Sequence, residues 1–182
     1  MLEGKTVRLR ALDMTDLDRL CTWINDVEVT RYLGATRYQM TRQEEERWLS
    51  NQPPPGVAGG VRFAIETKEG VHIGNVDLHP GNVEDRKASL GIMIGDKEYW
   101  SNGYGTDAIV TLLRFAFHEM GLHRVWLTTL DFNQRAIACY LKCGFRHEGR
   151  LRQDVFRHGR YRDFVLMGIL RDEVEEQARG AR

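Results

Sequence analysis

The stretch Ala88-Ser89-Leu90-Gly91-Ile92-Met93-Ile94, with the turn Trp100-Ser101-Asn102-Gly103-Tyr104-Gly105-Thr106 behind it, decides the fold. Leu90, Ile92 and Ile94 alternate along one face of a strand. Past the turn, Ile109, Leu112, Leu113, Ala116 and Met120 recur at helix spacing. Two glycines between strand and helix allow a sharp turn with no Cβ to hold a ligand away. The unpaired N–H groups at such a helix start, reinforced by its dipole, form an anion site suited to phosphate. A plain strand-to-helix turn fits the same residues, and this stretch alone leaves both readings open.

Working backward, Val61, Phe63 and Ile65 alternate, Lys68-Glu69-Gly70 turns, and Val71-His72-Ile73 resumes. The apolar phase slips at Gly74-Asn75 before Val76 and Leu78, the mark of a bulge. Pro80-Gly81-Asn82 then turns into the central strand, so the region reads as an antiparallel meander. Nearer the start, Val7 to Leu12 alternates as a strand, and Thr15 or Asp16 caps a helix carrying Leu17, Leu20, Cys21 and Ile24. Val27 to Gly34 is short and mixed, and Thr41-Arg42-Gln43-Glu44 opens a charged helix with a capping box. The proline run in Asn51 to Gly60 reads as a loop and not a domain boundary.

Working forward, Arg124 to Leu130 is strand-like, and a helix over 134–142 carries Ala136, Ile137, Tyr140 and Leu141 on one stripe. Gly144 is placed to end it as a C-cap. A hairpin follows, with Arg157-His158-Gly159-Arg160 at its turn and an apolar arm from Phe164 to Leu170. Residues 171–182 are charged and read as a frayed tail. One domain over 1–182 is expected at this length.

Lys+Arg and Asp+Glu both number 26, which argues against bulk electrostatic attraction to nucleic acid or to an anionic membrane and leaves room only for a local basic patch. The start of the chain lacks the apolar run of a leader, and no stretch is apolar enough to span a bilayer. Three cysteines, an odd number, fit a reducing cytoplasm better than a disulfide framework. Cys139 and Cys143, four apart on one helix, have no histidine pair beside them and read as packed residues with no metal.

The turn also fits a dinucleotide fingerprint, Gly103-x-Gly105-x-x-Ala108 with Asp131 further on, which would make the chain an NAD-binding oxidoreductase. The inserted Asp96 to Trp100 and the preceding meander weigh against it. A second constellation weighs more: Asn133-x-x-Ala136-x-x-x-Tyr140-x-Lys142-x-Gly144-Phe145.

Together with Trp100-x-x-Gly103-x-Gly105 upstream, these residues resemble the GNAT family of acetyl-CoA-dependent N-acetyltransferases, and within it the RimJ/RimL-like branch. Trp23 to Leu33, Ile73-Gly74-Asn75, Glu148-Gly149 and Arg152 extend the likeness over nearly the whole chain. The resemblance implies a mixed α/β fold: a twisted, mostly antiparallel sheet of about seven strands, helices on both faces, V-shaped where cofactor enters. It implies that acetyl-CoA is the co-substrate and that a primary amine is the acceptor, whether a polyamine, another small amine or a protein N-terminus.

By the same resemblance, backbone amides of Trp100, Ser101, Asn102, Gly103, Tyr104, Gly105 and Thr106 hold the pyrophosphate. Ile92, Met93 and Ile94 pair with the pantetheine arm, Asn133 hydrogen-bonds it, and Tyr140 is the general acid to the leaving thiolate. Two positions depart from the family pattern: Trp100 stands where Gln or Arg is usual, and Ala136 where Ser is common. Lys142 reads as a solvated helix-end charge. For a base the candidates are Asp77, His79, Glu28 and Asp131, with water able to relay the proton; Tyr32, Tyr38 and Glu28 are expected at the amine site. A binding protein for acyl-CoA without turnover is the alternative, and the final hairpin offers an edge for a homodimer.

Overall fold

Among the described residues, eight strands form one sheet in the order β1-β2-β3-β4-β5-β6-β8-β7. The structure, a computed structural model, describes residues 1–33, 38–51, 55–56, 59–81 and 84–174. Much of the proline loop, Gly34, Asn82 and the tail beyond 174 thus lie outside the described residues. The strands are β1 (Leu2–Glu3), β2 (Val7–Ala11), β3 (Val61–Thr67), β4 (His72–Pro80), β5 (Lys87–Ile94), β6 (Arg124–Leu130), β7 (Arg146–Arg157) and β8 (Arg160–Leu170). The helices are α1 (Leu17–Ile24), α2 (Val27–Thr30), α3 (Arg42–Ser50), α4 (Tyr104–His118) and α5 (Gln134–Lys142).

Among the described strands, β5 and β6 make the one parallel pair, and α4 is the crossover between them. That unit is what the dinucleotide fingerprint detected; every other pairing is antiparallel. The parallel pairing lasts only from Lys87 to Ser89 on β5, against Arg124 to Trp126 on β6. Beyond Ser89 the two strands part, while β5 stays paired with β4 as far as Ile94.

Alternation sorts the two faces of the sheet. Val76, Leu78, Leu90 and α4's Ile109, Leu112, Leu113 and Ala116 bury together on one side, with Ile137 and Tyr140 of α5. On the other, Leu17, Leu20, Trp23, Val29 and Leu49 form a smaller core that Met93 and Trp100 join from the sheet side.

Most local expectations are met, with informative differences. Thr41 and Glu44 form the expected capping box. Asp16 stands at the N-cap of α1, as expected, and Asp13 caps the 3-10 turn over Met14–Asp16 that precedes it. Asp16 makes no side-chain cap bond to α1, because its buried carboxylate binds Arg10 through both oxygens, at 2.8 Å each, and the Asp13 amide at 2.9 Å. The bulge falls at Ile73, where β3 partners jump from Gly74 to His72, one residue before the expected slip. Residues 171–174, expected to fray, form a helical turn whose Glu173 pairs with Arg146 at 2.8 Å.

Candidate active site

The parting of β5 and β6 opens a cleft of about 400 Å³. Its floor is β5. Gly95 donates to the Ile73 carbonyl on β4 at 2.9 Å, so the strand's alternation sends the backbone groups of Leu90, Ile92 and Ile94 the other way, into the cleft. Beyond the Leu90 amide, which still serves the Ser89–Trp126 pairing, these groups have lost β6 as a partner, and unpaired backbone polar groups need one. The Ile94 carbonyl has found the indole N–H of Trp100, at 2.7 Å. Trp100 therefore stitches the glycine turn to the end of β5, in keeping with a packing role. Met93, expected to offer its backbone, lines the cleft but spends that backbone opposite Asn75 on β4, and its side chain packs against the smaller core.

The glycine turn forms one end of the cleft, with Trp100, Ser101, Gly103, Gly105 and Thr106 among its lining. Gly103 stands at the N-cap of α4 with φ 87°, a left-handed conformation that side-chain-bearing residues adopt at a cost. No side chain caps this helix, so its first amides are left for a ligand. The one acid in the first turn, Asp107, faces away and accepts from the backbone of Lys5, Thr6 and Val7 at 2.6 to 3.0 Å. Asn102 and Tyr104 do not line the cleft: Asn102 donates to the Glu98 carbonyl at 3.1 Å, and Tyr104 packs edge-on against Tyr99.

Helix α5 supplies the opposite wall. Asn133 is its N-cap, accepting from the Ala136 amide at 3.3 Å, and also lines the cleft, so the two roles coexist. At the other end, the Gly144 amide bonds the Leu141 carbonyl and the Phe145 amide bonds that of Tyr140, with Gly144 at φ 95°. This is a Schellman motif, and its customary apolar contact is the Tyr140–Phe145 ring pair, 5.9 Å between centroids. Tyr140 is thereby fixed with 8% of its surface exposed. Burial, with Cys139 and Cys143 beside it, raises its pKa well above the usual phenol value, so it stays a neutral proton donor.

Cys139, Thr128, Thr129 and Arg135 also line the cleft and were not anticipated. Adjacent threonines inside the apolar run of β6 are the one sequence signal for the first pair. The Cys139 sulfur sits 3.3 Å from the Thr106 hydroxyl; a hydrogen bond from Cys143, outweighing burial, holds its pKa below the usual thiol range. The Cys143 pKa moves up in consequence.

The proposed bases separate. Glu28 is not in the cleft wall; it binds Lys97 at 2.9 Å, as Asp26 does. Asp131 pairs with Arg150 at 3.1 Å, toward the hairpin. Asp77, by contrast, lies beneath the cleft floor, opposite Gly91, whose added Cβ would strike the Asp77 carboxylate. Arg62 holds one Asp77 oxygen at 3.3 Å and His79 the other at 3.0 Å. That hydrogen bond, against partial burial, lifts the His79 pKa above its ordinary value. Tyr32 reaches the cleft, whereas Tyr38 lines a separate cavity of about 320 Å³ with Arg31, Arg157 and His158.

Among known proteins, residues 6–146 match the acetyltransferase (GNAT) domain family. A spermidine N(1)-acetyltransferase from Vibrio cholerae is 31% identical over 165 residues, covering 91% of this chain and 93% of its own. That of Escherichia coli K12 is 28% identical over 173 residues, covering 95% and 90%. A solved structure of the Vibrio cholerae spermidine N-acetyltransferase with CoA and spermine superposes with a TM-score of 0.85 at 28% identity, covering 93% of this chain and 98% of that one. No metal-binding cluster occurs among the described residues, and no described helix is long and apolar enough to cross a membrane. The chain belongs to the GNAT family and is an acetyl-CoA-dependent N-acetyltransferase.

Proposed function

We propose that the enzyme moves the acetyl group by direct attack of a primary amine on the thioester of acetyl-CoA. The single observation that carries this reading is the open edge of β5 from Leu90 to Ile94, in one cleft with the uncapped α4 turn and Tyr140. Pyrophosphate sits on the amides at the start of α4, and the pantetheine arm runs along β5 toward Tyr140, with Asn133 beside it. A cleft-facing N–H of Ile92 or Ile94 polarises the thioester carbonyl, as fixed donors do in other acyl transfers. The amine nitrogen bonds the carbonyl carbon, the tetrahedral intermediate collapses, and the carbon–sulfur bond breaks. Tyr140 gives its proton to the departing sulfur, and the extra proton on the nitrogen returns to the Tyr140 oxygen as the neutral amide forms.

An alkyl amine with a pKa of about 10.4 must first shed a proton. Water carries it past Gly91 to the Asp77–His79 pair. Free thiols at Cys21, Cys139 and Cys143 suit a reducing compartment such as the cytoplasm. The outer edge of β7, with Leu151, Phe156 and Tyr161 exposed nearby, is the surface for a second copy of the chain. The test is release of CoA thiol in step with acetylated amine across a panel of acceptors. Tight acetyl-CoA binding with no release for any amine would make the protein an acyl-CoA-binding protein instead.

A further inference from the structure

We infer that the acceptor amine carries a carboxylate beside a flat or apolar body, and is not a polycation; this rests on the transferase reading above. A polyamine brings several positive charges and needs carboxylates to receive them. The described residues lining the cleft include Arg135 and Lys142 but no Asp or Glu. Where the cleft opens toward α2 and the hairpin, the surface is aromatic and cationic. The Tyr32 ring, which lines the cleft, lies 6.0 Å from that of Phe132, and Phe132 meets His158 at the hairpin turn at 6.3 Å.

Three guanidinium groups stack on this platform. Arg31 lies 5.1 Å and Arg135 5.5 Å from the Tyr32 ring centre, and Arg162 lies 4.8 Å from that of Phe132. None of the three has a carboxylate partner among the described residues, and the Arg162 Nε is buried without a hydrogen-bond partner. The nearby acids are already engaged: Glu28 by Lys97, and Asp131 and Asp163 by Arg150. Stacking uses the face of a guanidinium and leaves its edge donors free, in the fork that fits a carboxylate. Arg135 also stacks on Trp100 at 3.8 Å and thus serves the cofactor turn; Arg31, on the wall of the neighbouring cavity with His158, and Arg162, over Phe132, are the two we assign to the acceptor.

The test compares phenylalanine with phenylalaninamide, a tripeptide amide with Asp second with the same peptide carrying Asn there, and spermidine, by thiol release and by calorimetric titration into CoA-loaded enzyme. Either carboxylate-bearing amine should exceed its uncharged counterpart by about tenfold or more in kcat/KM, about 1.4 kcal/mol, with spermidine lowest. Preference for the free amino acid assigns a small-molecule acceptor; preference for the tripeptide assigns an acidic peptide N-terminus. Arg31→Gln and Arg162→Gln should remove the preference while leaving acetyl-CoA affinity unchanged. Spermidine or the amide performing as well as the carboxylate-bearing amines would overturn the inference. If no amine releases thiol yet the carboxylate-bearing amines alone bind CoA-loaded enzyme, the arginine–aromatic platform stands as a carboxylate-binding site and the direct-transfer reading falls.

Discussion

Tyr140, the proposed general acid, is held in place by packing. Its ring is locked by the Schellman turn against Phe145, and its phenol is kept protonated by burial. Tyr140→Phe should therefore lower kcat by about a hundredfold or more, the usual range for a lost general acid, with little change in acetyl-CoA affinity. A rate equal to wild type under conditions where transfer limits would remove Tyr140 from the mechanism. The proposed base, His79, predicts a pH signature. Its hydrogen bond to Asp77 raises the His79 pKa above about 6.5, so the neutral form needed to take a proton appears only above that value. The acid limb of kcat/KM should sit above pH 6.5, and His79→Gln should abolish that limb; a profile unmoved by the change would direct attention to water alone. Sequence named Asp77 and His79 alongside Glu28 and Asp131, since all are titratable groups near segment ends. Only their partners separate them, and Lys97 and Arg150 are far from Glu28 and Asp131 in sequence.

At the scale of elements, β5, the glycine turn and α4 were legible because strand alternation, φ-permissive glycine and helix period all act locally. The short β1 was not: two residues, Leu2–Glu3, carry no pattern and become a strand only by pairing with Arg8 and Leu9. The length of the β5–β6 pairing was equally invisible, although the cleft depends on it ending at Ser89. Gly103 tests the turn. Free space surrounds its missing Cβ, so Gly103→Val costs first through φ 87°, about 1–2 kcal/mol of left-handed strain. With cofactor, the added methyls meet the pyrophosphate, and the acetyl-CoA Kd should rise about tenfold or more. A folded variant binding acetyl-CoA as tightly as wild type would contradict phosphate binding at this turn.

For the whole molecule, the two helical layers are held to the sheet by different means. The α4–α5 side is an apolar core, whereas the α1 side also carries buried Asp16 and His72 with half-buried Arg10, His72 lying edge-on to Trp23 at 4.9 Å. Burial lowers the His72 pKa despite Asp16, so the folded state favours neutral His72. Asp16 is likewise lowered: burial opposes this, but Arg10 and the Asp13 amide prevail. Both groups therefore add stability above their unfolded pKa values, lost as pH falls through their folded ones. The His72 contribution begins to fail below about pH 6.5, and that of Asp16 below about pH 3.9. His79, raised, acts with the opposite sign. Tm should fall between pH 7 and 5 less steeply in His72→Gln than in wild type; equal slopes would exclude His72 as the sensitive group. The central claim, direct transfer, is tested most directly by intact-protein mass spectrometry after incubation with acetyl-CoA, with and without an accepted amine. The enzyme mass should stay unchanged in both, thiol should be released only with amine, and Cys139→Ser and Cys143→Ser should turn over like wild type. An acetyl adduct on Cys139 that chases to the amine, lost together with activity in Cys139→Ser, would contradict direct transfer.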